Sequence, residues 1–209
     1  MSAQPIPGLT PEQYLEIDRA AEFKSEYYRG VMYAMSGGTY LHSLIIMRVG
    51  GLLLQRLDGG RCSVLSSDLR LRVSSEGLYT YPDLTVVCGA PKFADDQKDT
   101  LLNPSLIVEV LSKSTEAHDR GFKFTQYRRL ESLQEYLLVS QTEMRIEKYL
   151  RQPAGKWELT EFAGPDAVCR MESLGCEIAL ADIYRNVPLD ESGDREASPP
   201  TAANSSSPK

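Results

Sequence analysis

The stretch Ser105-Leu106-Ile107-Val108-Glu109-Val110-Leu111 decides the fold class, because a single acid interrupts a run of aliphatic residues. A short, continuous apolar run is typical of a strand that is buried on both faces, as in the central sheet of an α/β protein. A carboxylate at such a position is costly unless it is paired, protonated or bound to a metal. Glu109 therefore has either a functional role or a partner in a structural ion pair.

Helix and strand signals surround this central strand. Thr10 as N-cap, Pro11 at the first helical position and Gln13 completing a capping box predict an N-terminal helix. Apolar residues at helical spacing predict a longer helix over Tyr40–Leu57. The remaining predictions are a helix at 119–130 and strands at 27–35, 63–65, 69–73, 80–87, 135–140, 144–150, 157–162 and 168–179.

Length and composition indicate one domain over residues 1–188. Hydrophobic residues make up 42% and charged residues 25%, the balance of an ordinary globular protein. Residues 189–209 are rich in Ser, Pro, Ala and acidic residues, which predicts a disordered tail. Because the N-terminal residues lack signal-peptide features and no segment approaches the roughly 20 apolar residues of a membrane span, we expect a cytoplasmic protein without a membrane partner.

The four cysteines, Cys62, Cys88, Cys169 and Cys176, show neither the CxxC spacing of a zinc site nor a disulfide framework. We expect all four to be reduced, mostly buried side chains.

Two further features combine with Glu109 into a candidate site. Tyr81-Pro82-Asp83 places a carboxylate at the start of an apolar strand, although Pro-Asp alone is common turn chemistry. On the predicted helix, Asp119, Lys123 and Tyr127 lie at i, i+4 and i+8, on one face. The alternative interpretation of that face is an N-cap aspartate with an exposed ion pair. Together, two acids on adjacent strands and a lysine on the next helix predict an acidic pocket that contains one cation.

Such a pocket suits a hard divalent cation. Magnesium takes oxygen ligands and is commonly held by one or two carboxylates together with substrate phosphate. We therefore expect Asp83 and Glu109 to bind Mg²⁺ or Mn²⁺, which would activate a water nucleophile and neutralise charge on a phosphodiester. Lys123 would orient that water or stabilise the transition state. The predicted catalytic residues are Asp83, Glu109 and Lys123.

A succession of short motifs extends from about Thr10 to Val187. The motifs are Ser25-Glu26-Tyr27, Gly30, Met35, His42, Ser67-Asp68-Leu69-Arg70, Tyr81-Pro82-Asp83, Glu109-Val110-Leu111-Ser112, Ser114-Thr115, Asp119, Lys123, Tyr127 and Glu135-Tyr136. In order, spacing and context they resemble the Uma-two family of restriction endonucleases, within the PD-(D/E)XK nuclease superfamily. This resemblance implies a restriction-endonuclease-like α/β (α+β) fold, a mixed central sheet flanked by helices, with an extra C-terminal β-hairpin region.

The resemblance also implies roles for individual residues. Asp83 and Glu109 would be the metal ligands, and Glu26 would be a further acid beside them. The Glu-x-Lys element of the superfamily reads Glu109-Val110-Leu111, so Lys123 would supply the cation from the helix. Asp119 and Tyr127, on the same helix face as Lys123, are the other supporting candidates.

His42 also matches a family position. We leave it out of the catalytic set, because a lone histidine at the start of an apolar helix is more often structural.

Three functions remain open from the sequence. Asp83, Glu109 and Lys123 favour an Mg²⁺-dependent endonuclease with DNA as substrate. Leu111 and the net charge of −6 favour a catalytically silent nucleic-acid-binding or regulatory module, since indiscriminate DNA binding normally relies on a basic surface. The third alternative is an oligomeric scaffold in which Glu109 is simply paired in the core. A homodimer is one assembly that the sequence allows.

Overall fold

Two six-stranded sheets form the frame of the molecule, which the computed structural model describes over residues 5–74 and 77–189. The strands are β1 (Ile6–Pro7), β2 (Ser25–Tyr28), β3 (Val31–Ala34), β4 (Cys62–Ser66), β5 (Arg70–Arg72), β6 (Leu78–Thr80), β7 (Leu84–Cys88), β8 (Thr100–Leu101), β9 (Leu106–Leu111), β10 (Glu135–Ser140), β11 (Arg145–Arg151), β12 (Trp157–Ala163), β13 (Val168–Met171) and β14 (Cys176–Ala179). The first sheet has the order β1-β3-β2-β6-β5-β8 and the second β12-β11-β10-β9-β7-β4. Strands β13 and β14 form a separate hairpin, the predicted C-terminal addition.

Along the chain, the helices alternate with these strands. They are α1 (Pro11–Ala20), α2 (Tyr40–Leu57), α3 (Glu116–His118), a π-helical turn (Asp119–Lys123), α4 (Phe124–Tyr127), a 3₁₀ turn (Pro153–Gly155) and α5 (Leu180–Ile183). The predicted capping box of α1 is present, since Thr10 and Gln13 exchange hydrogen bonds. No helix in the described part of the chain has both the length and the hydrophobicity to cross a membrane.

Strand β9 is the buried centre of the second sheet, as its apolar run predicts. It pairs parallel with β10 and antiparallel with β7. The connection from β9 to β10 contains α3, the π-helical turn and α4. All residues of β9 are buried. Its apolar side chains alternate between two hydrophobic clusters on opposite faces of the sheet.

On one face of the second sheet, α2 packs through Ile45, Val49 and Leu53. The helix approaches closely at Gly50, where a Cβ atom would lie 3.3 Å from the Leu84 side chain. The β13–β14 hairpin and α5 complete this cluster. The opposite face packs against the first sheet and the segment 116–127, with Ile107 in the cluster between them.

The predicted strand at 80–87 is wrong as a single element. Its residues form the end of β6 in the first sheet and most of β7 in the second, with Tyr81-Pro82-Asp83 crossing between the sheets. The reason is Pro82, which has no N–H to donate to a ladder and restricts the residue before it. The predicted strands at 27–35 and 168–179 are likewise divided, each into a hairpin.

The expectation that all four cysteines are reduced is wrong for Cys62 and Cys88, which form a disulfide. Strands β4 and β7 pair antiparallel with these residues directly opposite each other. Their separation of 26 residues gave no sequence signal, because only the strand register brings them together. Cys169 and Cys176 are free thiols.

The predicted tail lies almost entirely outside the described residues, which end at Leu189. Leu189 itself packs against the cluster that contains α2.

Candidate active site

Asp83 and Glu109 lie side by side because of the register between β7 and β9. Leu84, the first residue of β7, pairs with Val108, so Asp83 and Glu109 are the next residues at the same end of the two strands. Both residues line one cavity, and the charge of Asp83 contributes to the raised pKa of Glu109. Asp83 Oδ2 also accepts a hydrogen bond of 2.7 Å from the backbone N–H of Val110, which fixes the carboxylate at the end of the sheet.

Lys123 supplies the cation of this cluster. Its Nζ atom is 3.0 Å from Glu109 Oε1, 3.3 Å from Asp119 Oδ1 and 3.6 Å from Glu26 Oε1. The lysine is only 7% exposed, so its charge depends on these carboxylates rather than on water. The fold therefore brings Lys123 to the predicted acids from the segment that follows β9.

The supporting candidates lie in the same cluster. Tyr127 donates a hydrogen bond of 2.8 Å to Glu109 Oε1. The hydroxyl of Thr80 donates to Glu26, since β2 and β6 are neighbours in the first sheet. Asp119 is 2% exposed, and its Oδ1 atom is buried without a hydrogen-bond partner among the described residues, although it lies near Lys123.

The predicted helix at 119–130 is corrected in its geometry and its end. Residues 119–123 form a π-helical turn in which the Phe124 N–H donates to Asp119 O, and α4 ends at Tyr127. The π-helical turn widens the helix by one residue while Asp119 and Lys123 remain within 3.3 Å. Single π turns occur frequently at functional sites.

His42 is the clearest residue of the site that the sequence reasoning missed. Its Nε2 atom is 3.2 Å from Asp83 Oδ2, and the hydrogen bond with Asp83 raises the pKa of His42 against the opposing effect of burial. It lies in the first turn of α2, which begins after the N-cap Thr39. In the sequence, the indication of a role for His42 was its match to a family position, because a lone histidine does not by itself indicate a site.

A cavity of about 160 Å³ connects these groups. The residues lining it include Asp83, Glu109, Asp119, Lys123, His42, Gly37, Gly38, Ser112, Ser114 and Thr115. A more open groove of about 570 Å³ adjoins it and shares His42, Tyr81 and Asp83. The hydroxyl-bearing loop after β9 was not predicted as part of the site.

Neither position near the end of β9 offers an alternative cation. Leu111 is 5% exposed and packs in the cluster between the sheets. Lys113 is exposed in the loop beyond the strand, which ends at Leu111.

The electrostatics of the cluster are dominated by buried acid. Burial raises the pKa of Glu109 to about 8, with Asp83 and Asp119 adding to the rise and Lys123 opposing it. Burial also raises the pKa of Asp119. For Lys123, burial favours the neutral form, but Glu109, Glu26 and Asp119 outweigh it and raise the pKa well above its usual value. Lys123 is therefore charged, and the acids exceed the cations around it.

This donor set fits a hard cation in its chemistry. Among the described contacts, the hydrogen bonds of Glu109 run through Oε1 and those of Asp83 through Oδ2, which leaves one oxygen of each carboxylate for a further ligand. Within residues 5–74 and 77–189, no three His, Cys, Asp or Glu side chains are grouped so that they could hold a metal by themselves. Carboxylates supplemented by water and substrate phosphate are the usual surroundings of protein-bound magnesium.

Comparison with known proteins gives a family match over most of the chain. The model of the Uma2 family, described as "Putative restriction endonuclease", matches residues 11–181. The Synechocystis sp. protein slr1290 is 40% identical over 185 residues, which cover 88% of this chain and 95% of that protein. A second Synechocystis protein, sll1609, is 36% identical over 159 residues, which cover 76% and 90%.

A solved structure agrees with the fold. The crystal structure of "a putative nuclease belonging to DUF820" from Anabaena variabilis matches with a TM-score of 0.70 and 18% identity, over 85% of this chain and 98% of that one. The restriction-endonuclease-like mixed α+β fold expected from the sequence is confirmed.

Proposed function

Because the chain belongs to the Uma2 family, we propose that it is an Mg²⁺- or Mn²⁺-dependent endonuclease that hydrolyses phosphodiester bonds in DNA. One observation carries the proposal: the Lys123 ammonium lies 3.0 Å from Glu109, on the strand next to Asp83. A buried lysine beside one strand carboxylate, with a second carboxylate at the end of the neighbouring strand, suits metal-assisted phosphodiester hydrolysis.

Asp83 and Glu109 would hold the metal, each through the oxygen that makes no protein hydrogen bond. When bound, the ion supplies Lewis acidity, lowers the pKa of a water and neutralises negative charge on the phosphodiester. Tyr127 and Lys123 hold Glu109 through its other oxygen, so the carboxylate has a fixed orientation before any ligand arrives.

Lys123 would act by electrostatics. Glu109, Glu26 and Asp119 raise the pKa of its ammonium well above the usual value, against the opposing effect of burial. A charge that is already in place in a low-dielectric site stabilises the negative charge of a phosphoryl transition state without reorganisation. The lysine of the usual Glu-x-Lys element is replaced by Leu111, and Lys123 would take over its role from the π-helical turn.

The test is a cleavage assay on supercoiled, linear and single-stranded DNA with Mg²⁺ or Mn²⁺. Lys123→Met keeps most of the aliphatic stem and removes the charge, and we expect about a 10²- to 10³-fold loss of cleavage rate. Lys113→Met is the matched control, because this lysine is exposed in the adjacent loop, and it should cleave like wild type. Glu109→Ala should be inactive.

Two results would contradict the proposal. Equal cleavage by Lys123→Met and wild type would exclude Lys123 as the catalytic cation. A folded wild-type protein that binds DNA with metal present but does not cut any of the three substrates would instead favour the catalytically silent module.

A further inference from the structure

A buried ion pair lies behind the candidate site, outside the cavity. Asp18 of α1 has a side chain that is 0% exposed, and that of Arg70 on β5 is 4% exposed. Asp18 Oδ2 accepts hydrogen bonds from Arg70 Nη2 at 2.7 Å and Nε at 3.1 Å. Arg70 is held on its other side by the Thr100 hydroxyl at 2.8 Å. The ion pair therefore links α1 to strand β5 of the first sheet.

The same carboxylate holds two segments that carry site acids. Asp18 Oδ2 accepts the Tyr81 hydroxyl at 2.5 Å, and Tyr81 is two residues before Asp83. Asp18 Oδ1 accepts the backbone N–H of Ser25 at 2.9 Å, and Ser25 is the residue before Glu26. A single side chain thus connects both segments.

The Tyr81 contact adds an anchor on the N-terminal side of Asp83, whose carboxylate also accepts the Val110 N–H. Asp83 lies in the crossing between the two sheets, after the end of β6 and before β7 begins at Leu84. Pro82 cannot donate a ladder hydrogen bond. Tyr81 is 6% exposed, and its hydrogen bond to Asp18 holds the chain two residues before Asp83.

We infer that the Asp18–Arg70 pair is the positioning centre of the active site, and that Tyr81 transmits its position to Asp83. This inference rests on the proposed function and adds residues that do not contact the reacting groups. A buried ion pair is often replaceable by apolar side chains without loss of stability. The role that we assign to it here is the geometry that it imposes on Asp83 and Glu26.

The test compares two buried tyrosines. Tyr81→Phe removes the hydroxyl that donates to Asp18 and keeps the ring. Tyr27→Phe is the matched control: Tyr27 is 3% exposed, and its hydroxyl donates at 3.0 Å to Leu9 O, away from Asp83. Both variants lose one hydrogen bond, so we expect comparable falls in melting temperature.

Two readouts separate positioning from stability. In the cleavage assay, we expect Tyr81→Phe to lower kcat about 10- to 100-fold with little change in KM, since a small displacement of a reacting group costs rate. In NMR spectra of the metal-free proteins at one fixed pH, the ring signals of His42 should move in Tyr81→Phe, because His42 contacts Asp83. The ring signals of His118, the other histidine, serve as the internal reference. Tyr27→Phe should show neither effect.

The two proposals fail in different ways. If wild type does not cleave DNA, the proposed function fails, while the His42 signals still decide whether Tyr81 positions Asp83. If Tyr81→Phe and Tyr27→Phe leave the His42 signals equally unchanged, or lower kcat equally, the positioning role of the Asp18–Arg70 pair is overturned.

Discussion

Glu109 is the residue on which the proposed chemistry of the site depends. It stands between Ile107 and Leu111 on a buried strand face, where a carboxylate without partners would be destabilising. Lys123 and Tyr127 donate hydrogen bonds to one of its oxygens, but burial still raises the pKa of Glu109 above its ordinary value. Under the proposed function, a cation that binds Glu109 would replace the proton that burial favours.

The raised pKa of Glu109 predicts how the metal-free protein responds to pH. Its pKa is about 8 in the folded state against an ordinary value of 4.5. The folded state therefore binds the proton more tightly than the unfolded state. The resulting stabilisation is fully present below pH 4.5 and is lost as pH rises towards 8.

We expect Glu109→Gln, which cannot ionise, to gain stability relative to wild type as pH rises from 5 to about 8. Urea unfolding in EDTA at several pH values measures this difference. Glu158→Gln, at an exposed position on β12, is the control and should track wild type. A constant difference between Glu109→Gln and wild type across this range would contradict the expected shift.

The residues of the site were predictable to different degrees for a physical reason. Glu109 is conspicuous because one acid in an apolar strand is energetically unusual. Asp83 and Lys123 are ordinary by themselves, and only their relation to adjacent elements indicated a site. His42 could not be assigned, because its contact with Asp83 depends on how α2 lies across the end of the second sheet.

At the scale of elements, the spacing of apolar residues along the sequence predicted the strands and helices whose conformation depends mainly on neighbouring residues. Helix α2 and strand β10 have the predicted bounds, and β9 is the predicted buried strand. Where the prediction failed, tertiary structure decided the outcome: the chain between β6 and β7 changes sheets, and residues 119–123 widen into a π-helical turn. These two irregular places carry Asp83 and Lys123, which agrees with the tendency of local departures from regular structure to occur at functional sites.

The disulfide belongs to this scale, since it joins neighbouring strands β4 and β7. Thiol titration of the unfolded, unreduced protein should detect two thiols, from Cys169 and Cys176, and four after reduction. Closing a loop of this kind typically contributes about 2–4 kcal/mol. We therefore expect a reductant to lower the melting temperature of wild type, and to have no effect on the double variant Cys62→Ala/Cys88→Ala. Four thiols before reduction would show that the pair is not oxidised in the purified protein.

At the scale of the whole molecule, the net negative charge of the chain and the acidic residues of the site both bear on how the protein would bind DNA. A net charge of −6 does not favour indiscriminate binding of nucleic acid, which normally relies on a basic surface. Under the proposed function, substrate phosphate would be attracted to the site because a divalent cation bound there would reverse the local negative charge. Affinity for DNA should therefore depend on the metal as well as on ionic strength.

Metal binding should also stabilise the whole fold, because Asp83 and Glu109 come together only when β7 and β9 pair. A ligand that binds the folded state alone raises the free energy of unfolding by RT ln(1 + [L]/Kd), about 1.4 kcal/mol at ten times Kd. We expect millimolar Mg²⁺ or Mn²⁺ to raise the melting temperature of wild type and to give a calorimetric binding signal. Asp83→Ala should lose both effects, whereas Asp166→Ala, which removes an exposed acid far along the chain, should keep them. The comparison uses the metal-induced change within each variant, so that any loss of intrinsic stability cancels. If wild type and Asp83→Ala respond equally to the metal, the cation does not bind between these two strands.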